Sequence, residues 1–204
     1  LEHSIDVLTP DNLKDPSLLG TLENTEWDFF VVAAYAKILP KVILDIPRKG
    51  ILNVHPSLLP KFRGPSPVLS AVLADERATG VSIMLLEEKM DTGPVLAQAS
   101  IEIEKDDWPM RGSVLEDLLF TEGGNLLAET IPQWMEGKVT PEVQDESKAT
   151  YTRKFSDEDA KVGLGGDAYQ NLLKIRTFDK NPRAYFLDKN EKRVIVTDAR
   201  IENG

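Results

Sequence analysis

Between His55 and Pro67 the chain carries four prolines, Pro56, Pro60, Pro65 and Pro67, together with Gly64. Proline fixes φ and removes an amide donor, so no helix or strand runs through that density of breakers. A shaped loop is required here, and regular structure must end before it and restart after it. Directly before it, Gly50 is followed by Ile51-Leu52-Asn53-Val54, a short strand candidate. Directly after it, Pro67 to Leu73 reads as a helix with Ser66 at its N-cap.

The flanking segments repeat this alternation. Phe29 to Ala34 is a continuous apolar run of strand length, the kind buried on both faces of a parallel sheet. The segment before it reads as a helix end or loop running into Asp28. Pro40 opens a short helix that stops by Pro47. Val81 to Leu86 and Val95 to Ile103 read as strands around a turn-bearing loop. Residues 112–136 place Val114, Leu115, Leu118, Leu119, Leu126, Leu127 and Ile131 near helical spacing. Gly123 and Gly124 inside that helix predict a kink or a close approach. Residues 137–150 are polar, contain Pro141 and read as a linker. A helix at 168–178 and strands at Arg183–Leu187 and Arg193–Ile201 follow. The order predicts an α/β domain and then a small β domain.

Composition narrows the chemistry. The chain has no cysteine, so thiolate nucleophiles, thiolate metal sites and disulfides are excluded. Its only histidines are His3 and His55, too few for a multi-histidine zinc site, and no metal is expected. No apolar run is long enough to span a bilayer and no signal peptide opens the chain, so no membrane partner is expected and a cytoplasmic location is. Residues 1–146 hold 12 basic and 25 acidic side chains, whereas 147–204 hold 12 and 9. The first part repels a polyanion. The second tolerates or weakly attracts one, although an ordinary solvated surface has the same balance.

Asn53 and His55 are two apart at a strand end, so their side chains point to the same face at the carboxyl edge of the sheet, where α/β folds bind ligands. An amide and an imidazole there suit stabilisation of a developing oxyanion, and the imidazole also moves protons near neutral pH. Asp91 is a candidate partner for the imidazole. The ordinary readings are a satisfied structural histidine, a turn-forming asparagine and a solvated Arg63. Asp91-Thr92-Gly93 also matches the aspartic-protease tripeptide, but that chemistry needs two carboxylates and the tripeptide occurs once. Gly163-Leu164-Gly165-Gly166 lacks a preceding strand and the dinucleotide register. Trp27, Trp108 and Trp134 read as packing residues.

Taken together, Val32-Ala33-Ala34-Tyr35, Ile38-Leu39-Pro40, Asn53 to Gly64, Thr79 to Met84, Met90-Asp91-Thr92-Gly93, Pro141 to Asp145 and Thr150-Tyr151 resemble the folate-dependent formyltransferases, most closely those acting on methionyl-tRNA. The resemblance implies a Rossmann-like, mostly parallel sheet flanked by helices over residues 1–136, a linker at 137–150, and a partial OB-like domain at 151–204. Against the family's pattern, the first strands of the sheet and the end of the second domain are expected to be missing. The resemblance assigns catalysis to Asn53, His55 and Asp91, with Asp91 orienting His55. It assigns binding of the donor, 10-formyltetrahydrofolate, to Ser57, Leu58, Leu59 and Pro60, with Val32, Ala34, Tyr35, Ala36 and Leu86 around the pterin. It implies initiator methionyl-tRNA as acceptor and a monomer as the working unit. The Gly64-Pro65-Ser66-Pro67 loop also resembles the tRNA enzymes. Amino-sugar nucleotides and purine-pathway amines are rival acceptors, and a non-catalytic folate- or RNA-binding remnant is the reading from a different class.

Overall fold

The computed structural model describes residues 5–35 and 37–202. Helix α1 (Pro16–Glu23) is started by Asp15, whose carboxylate accepts from the Ser17 and Leu18 amides. Strand β1 (Phe30–Ala33) follows, then the single-turn α2 (Lys41–Leu44), strand β2 (Ile51–His55), helix α3 (Pro67–Leu73), strand β3 (Ala78–Leu85) and strand β4 (Val95–Glu102). Helix α4 (Gly112–Met135), helix α5 (Ala168–Thr177) and two three-residue strands, β5 (Tyr185–Leu187) and β6 (Arg193–Ile195), complete the order.

The α/β architecture is as expected, with one difference in the sheet. Its order is β1-β2-β3-β4, with β1 and β2 parallel but β2–β3 and β3–β4 antiparallel. The sheet is therefore mixed rather than mostly parallel among the described residues. Parallel neighbours need a crossover, which residues 34–50 supply through α2, whereas β3 and β4 are joined as a hairpin over residues 86–94.

β2 is buried along its whole length because it lies between two strands and beneath α4. Leu52 and Val54 join Val81, Ile83 and Leu96 in the cluster against Phe120, Leu126, Leu127 and Ile131 of α4. Helix and sheet come close because Gly123 carries no side chain; a Cβ there would lie 2.5 Å from Val54 Cγ1. The predicted close approach is thus present at Gly123. Asn53 and His55 alternate onto the other face of β2. Ser66 holds the N-cap position of α3, but its side chain makes no capping bond.

In the C-terminal region the expected helix and two strands are present as α5 and the β5–β6 ribbon, with β6 ending at Ile195 rather than Ile201. Two three-residue strands bury too little to stand alone. The ribbon instead shares a core with α3: Ala160, Val162, Ile175, Phe178, Ala184 and Tyr185 pack with Leu69 and Leu73. Asp179 further ties this region to α4 by accepting from the Ser113 amide and hydroxyl at its N-terminus. Trp27, Trp108 and Trp134 each pack partly buried and donate through the indole to Leu22, Asp75 and Lys49. Among the described residues, no helix is long and apolar enough to cross a membrane.

Candidate active site

A cavity of about 440 Å³ opens at the carboxyl end of β2. Asn53 and His55 line it from the strand, and Asp91 lines it from the loop that joins β3 to β4. The three residues singled out for chemistry are therefore brought to one space. The Asn53 side chain has no hydrogen-bond partner among the described residues, so its two N–H donors are free for a ligand.

His55 is fixed differently from the expectation. Its Nε2 lies 3.1 Å from the Phe62 carbonyl oxygen. A carbonyl only accepts, so Nε2 carries the proton and donates it. Nδ1 then faces Asp91, with Nδ1 and Oδ2 3.9 Å apart. That distance is an electrostatic contact and not a hydrogen bond. The residue that orients the ring is thus Phe62, through its main chain. Burial pulls the imidazole pKa below its ordinary 6.5, against the upward pull of the Asp91 carboxylate and the Phe62 carbonyl. The resting ring is neutral at neutral pH, with a lone pair on Nδ1.

Asp91 is anchored independently. Its Oδ2 accepts the Gly64 amide at 2.7 Å, and its backbone sits in the left-handed region at φ 53°. Phe62 is also left-handed, at φ 57°. Such backbone persists in non-glycine residues only where surrounding contacts over-determine it. Residues 142–152, which span the end of the expected linker at 137–150 and the first residues after it, supply those contacts. The Phe62 amide donates to Thr150 Oγ1 at 2.8 Å, the Arg63 amide to the Thr150 carbonyl at 2.9 Å, and the Thr152 amide to the Arg63 carbonyl at 2.7 Å. Gly64 sits at φ 113°, where a Cβ would meet the Thr152 carbonyl at 2.8 Å.

Arg63 is neither solvated nor turned toward a ligand. Its side chain is 0% exposed and is held bidentately by Glu146 at 2.8 and 3.0 Å, by Gln144 at 3.0 Å and by the Tyr151 hydroxyl at 3.2 Å. The guanidinium holds the Glu146 carboxyl below its ordinary range. The arginine was visible in the sequence, but its partners lie more than 80 residues away and carry no local signal.

The expected donor-binding residues divide into two groups. Val32, Ala34, Tyr35 and Leu86 line the cavity. Ser57, Leu58, Leu59 and Pro60 lie outside its lining. Ser57 Oγ donates to the Lys61 carbonyl, and Ser82 Oγ donates to the Ser57 carbonyl while accepting from the Leu59 amide. These four residues brace the loop from behind. His3 and Ala36 lie outside the described residues.

The chain is similar to known proteins in sequence and fold. It is 42% identical over 199 residues to a methionyl-tRNA formyltransferase of Chloroflexus aurantiacus, covering 98% of this chain and 63% of that relative's length. Two solved structures share the fold. A sugar N-formyltransferase from a Shewanella species superposes with a TM-score of 0.75 at 19% identity, covering 94% of this chain and 77% of that one. HypX from Aquifex aeolicus, solved with tetrahydrofolic acid, superposes at 0.73 and 20% identity, covering 88% of this chain and 30% of that one. The family described as formyl transferase matches residues 2–128, from ahead of α1 to within α4, which takes in the whole four-stranded sheet together with Asn53, His55 and Asp91. By that match the chain belongs to the formyl transferase family.

Proposed function

We propose that the protein transfers a formyl group from 10-formyltetrahydrofolate to the amino group of initiator methionyl-tRNA. The observation that carries this reading is the convergence of Asn53, His55 and Asp91 on one cavity. The methionyl-tRNA formyltransferase of Chloroflexus aurantiacus, similar along 98% of this chain, supports the acceptor. HypX, solved with tetrahydrofolic acid on the same fold, supports a folate donor. The cavity fits such a donor: Val32, Ala34, Ile38, Leu39 and Leu86 offer apolar surface to a flat ring, while the polar groups gather at the β2 end.

The donor supplies the formyl carbon, and the chain's own residues manage charge and protons. As the amine nitrogen bonds to that carbon, negative charge develops on the formyl oxygen. The free Asn53 amide donates to it. His55 has its Nε2 proton committed to Phe62, so its work falls to Nδ1. Neutral Nδ1 takes the proton of the attacking amine, and the nearby Asp91 carboxylate stabilises the imidazolium. When the bond from the formyl carbon to the folate nitrogen breaks, the proton passes from Nδ1 to that nitrogen. The amine has exchanged one hydrogen for the formyl group, and His55 is neutral again. Ser57 to Pro60 serve this site as bracing for the loop. The reaction belongs to translation initiation, and a cytoplasmic location goes with this reading.

An amino-sugar nucleotide is the second acceptor to consider, because the Shewanella sugar N-formyltransferase shares the fold. Incubation of the protein with labelled formyl donor and either acceptor separates the two. Label is expected on methionyl-tRNA only. Label only on the sugar reverses the acceptor, and label on neither overturns the reading.

A further inference from the structure

We propose that Gln144 is a positioning residue for Asp91, locking the loop that bears the carboxylate to the loop that orients His55. The proposal rests on the formyl-transfer reading above. Gln144 is 7% exposed and uses its whole amide. Its Nε2 donates to the Asp91 carbonyl at 2.9 Å and to the Gly93 carbonyl at 2.7 Å. Its Oε1 accepts from Arg63 Nε at 3.0 Å. One side chain thus spans the 86–94 loop and the 56–66 loop.

The bridge meets both loops where they need support. Arg63 lies between Phe62, whose carbonyl fixes the His55 ring, and Gly64, whose amide binds the Asp91 carboxylate. Asp91 and Phe62 are the left-handed non-glycine residues on the two sides. Without the bridge, the Asp91 and Gly93 carbonyls lose a buried donor, and nothing else among the described hydrogen bonds ties Asp91 O to the opposite loop. Asp91 is then held to the 56–66 loop by its Gly64 bond alone, its backbone relaxes toward ordinary φ, and its carboxylate shifts away from Nδ1. Only an amide satisfies both loops, since an aliphatic side chain of the same length offers no donor and a carboxylate sets oxygen against two carbonyls.

Asp91 is the carboxylate paired with the imidazole among the described ion pairs. Lys37, Glu87, Glu88, Lys89, Glu116 and Lys154 also line the cavity. Withdrawal of Asp91 removes the carboxylate's upward pull and lets burial depress the His55 pKa further.

The test uses the full chain carrying Gln144→Met, with the His55 ring titrated by NMR and its signal assigned through His55→Gln. The expected result is a His55 midpoint at lower pH than in wild type, the acid limb of the kcat profile moved the same way, and kcat down about tenfold or more with the donor KM within about threefold. In an Asp91→Asn background, Gln144→Met should cause no further fall in kcat. Gln144→Glu keeps the Arg63 partner and so serves as the second variant if Gln144→Met does not fold; it should lower kcat and be equally silent in the Asp91→Asn background. An unmoved midpoint with wild-type kcat, or a full additional fall in the Asp91→Asn background, overturns the proposal. A wild-type protein that formylates no amine removes the functional reading alone, because the NMR midpoint still decides the role of Gln144.

Discussion

The cavity has two walls built in opposite ways. One wall is β2 with the 56–66 loop. The strand is buried and carries Asn53 and His55, and the loop is cross-linked to the 142–152 segment behind it through Arg63 and Gln144. The other wall is the end of β1 with residues 34–35 and 37–39 and the tip of the 86–94 loop. It is open: Ile38 is 74% exposed, Met90 54% and Tyr35 45%. Asp91 stands where the two meet, with its carboxylate tied to the first wall through Gly64. The contrast separates two demands. Proton transfer and oxyanion stabilisation need groups held within fractions of an ångström, whereas admission of a large ligand needs surface that gives way.

Substitutions can break or sharpen that contrast. The largest effect is expected at Asn53→Ala, which removes an amide donor from the rigid wall. By analogy with loss of one oxyanion donor, the rate of formyl transfer should fall about 100-fold or more, with donor affinity nearly kept; rapid-quench kinetics checks both. Next is Arg63→Met, which leaves Gln144 without its partner and Glu146 without its cation. Because Glu146 is largely exposed, the loss should lie toward the low end for a broken buried pair, about 2–3 kcal/mol, read from the urea midpoint. On the open wall, Ile38→Ala should leave the urea midpoint within about 0.5 kcal/mol of wild type. It should raise the donor KM several-fold with kcat kept. A stability loss at Ile38 equal to that at Arg63 would erase the distinction between the walls.

Much of the rigid wall was legible, though not its fastening. The apolar run at Phe29–Ala34, the breaker-rich loop after His55 and the shared face of Asn53 and His55 follow from local rules. Gly123 in an apolar helix also announced a kink or a close approach, and the structure shows the approach, to Val54. Three things were not local. Arg63 read as a solvated loop arginine because its partners Gln144, Glu146 and Tyr151 lie more than 80 residues on. The polar segment around Pro141 read as a linker because hydrogen bonds to another loop leave no periodicity. Asp91 is the natural partner of His55 by chemical type, yet the Phe62 carbonyl holds the ring, and any residue type has a carbonyl. The two C-terminal strands were legible within Arg183–Leu187 and Arg193–Ile201, although the second is shorter than expected; the mixed sheet was not, since pairing direction depends on contacts between segments.

The smallest effect concerns pH. His55 has a folded pKa below its ordinary 6.5, so on acidification the unfolded chain takes up a proton that the native chain refuses. This contribution to stability is intact above about 6.5, falls as the pH drops through the interval below it, and levels off once the native ring also protonates. His55→Gln should lose that part of the slope. Urea midpoints of the two proteins should therefore diverge between pH 7.5 and pH 5.5 in favour of the variant, whatever the offset at pH 7.5. Parallel curves would show that the ring is solvated and the wall less closed than described.

The most direct test of the central claim is single-turnover formyl transfer to methionyl-tRNA by wild type, His55→Gln and Asp91→Asn, with folding of each verified. The account predicts chemistry slowed at least about 100-fold in the histidine variant and about tenfold or more in the aspartate variant, with donor binding little changed. Two well-folded variants turning over at the wild-type rate would place the chemistry elsewhere.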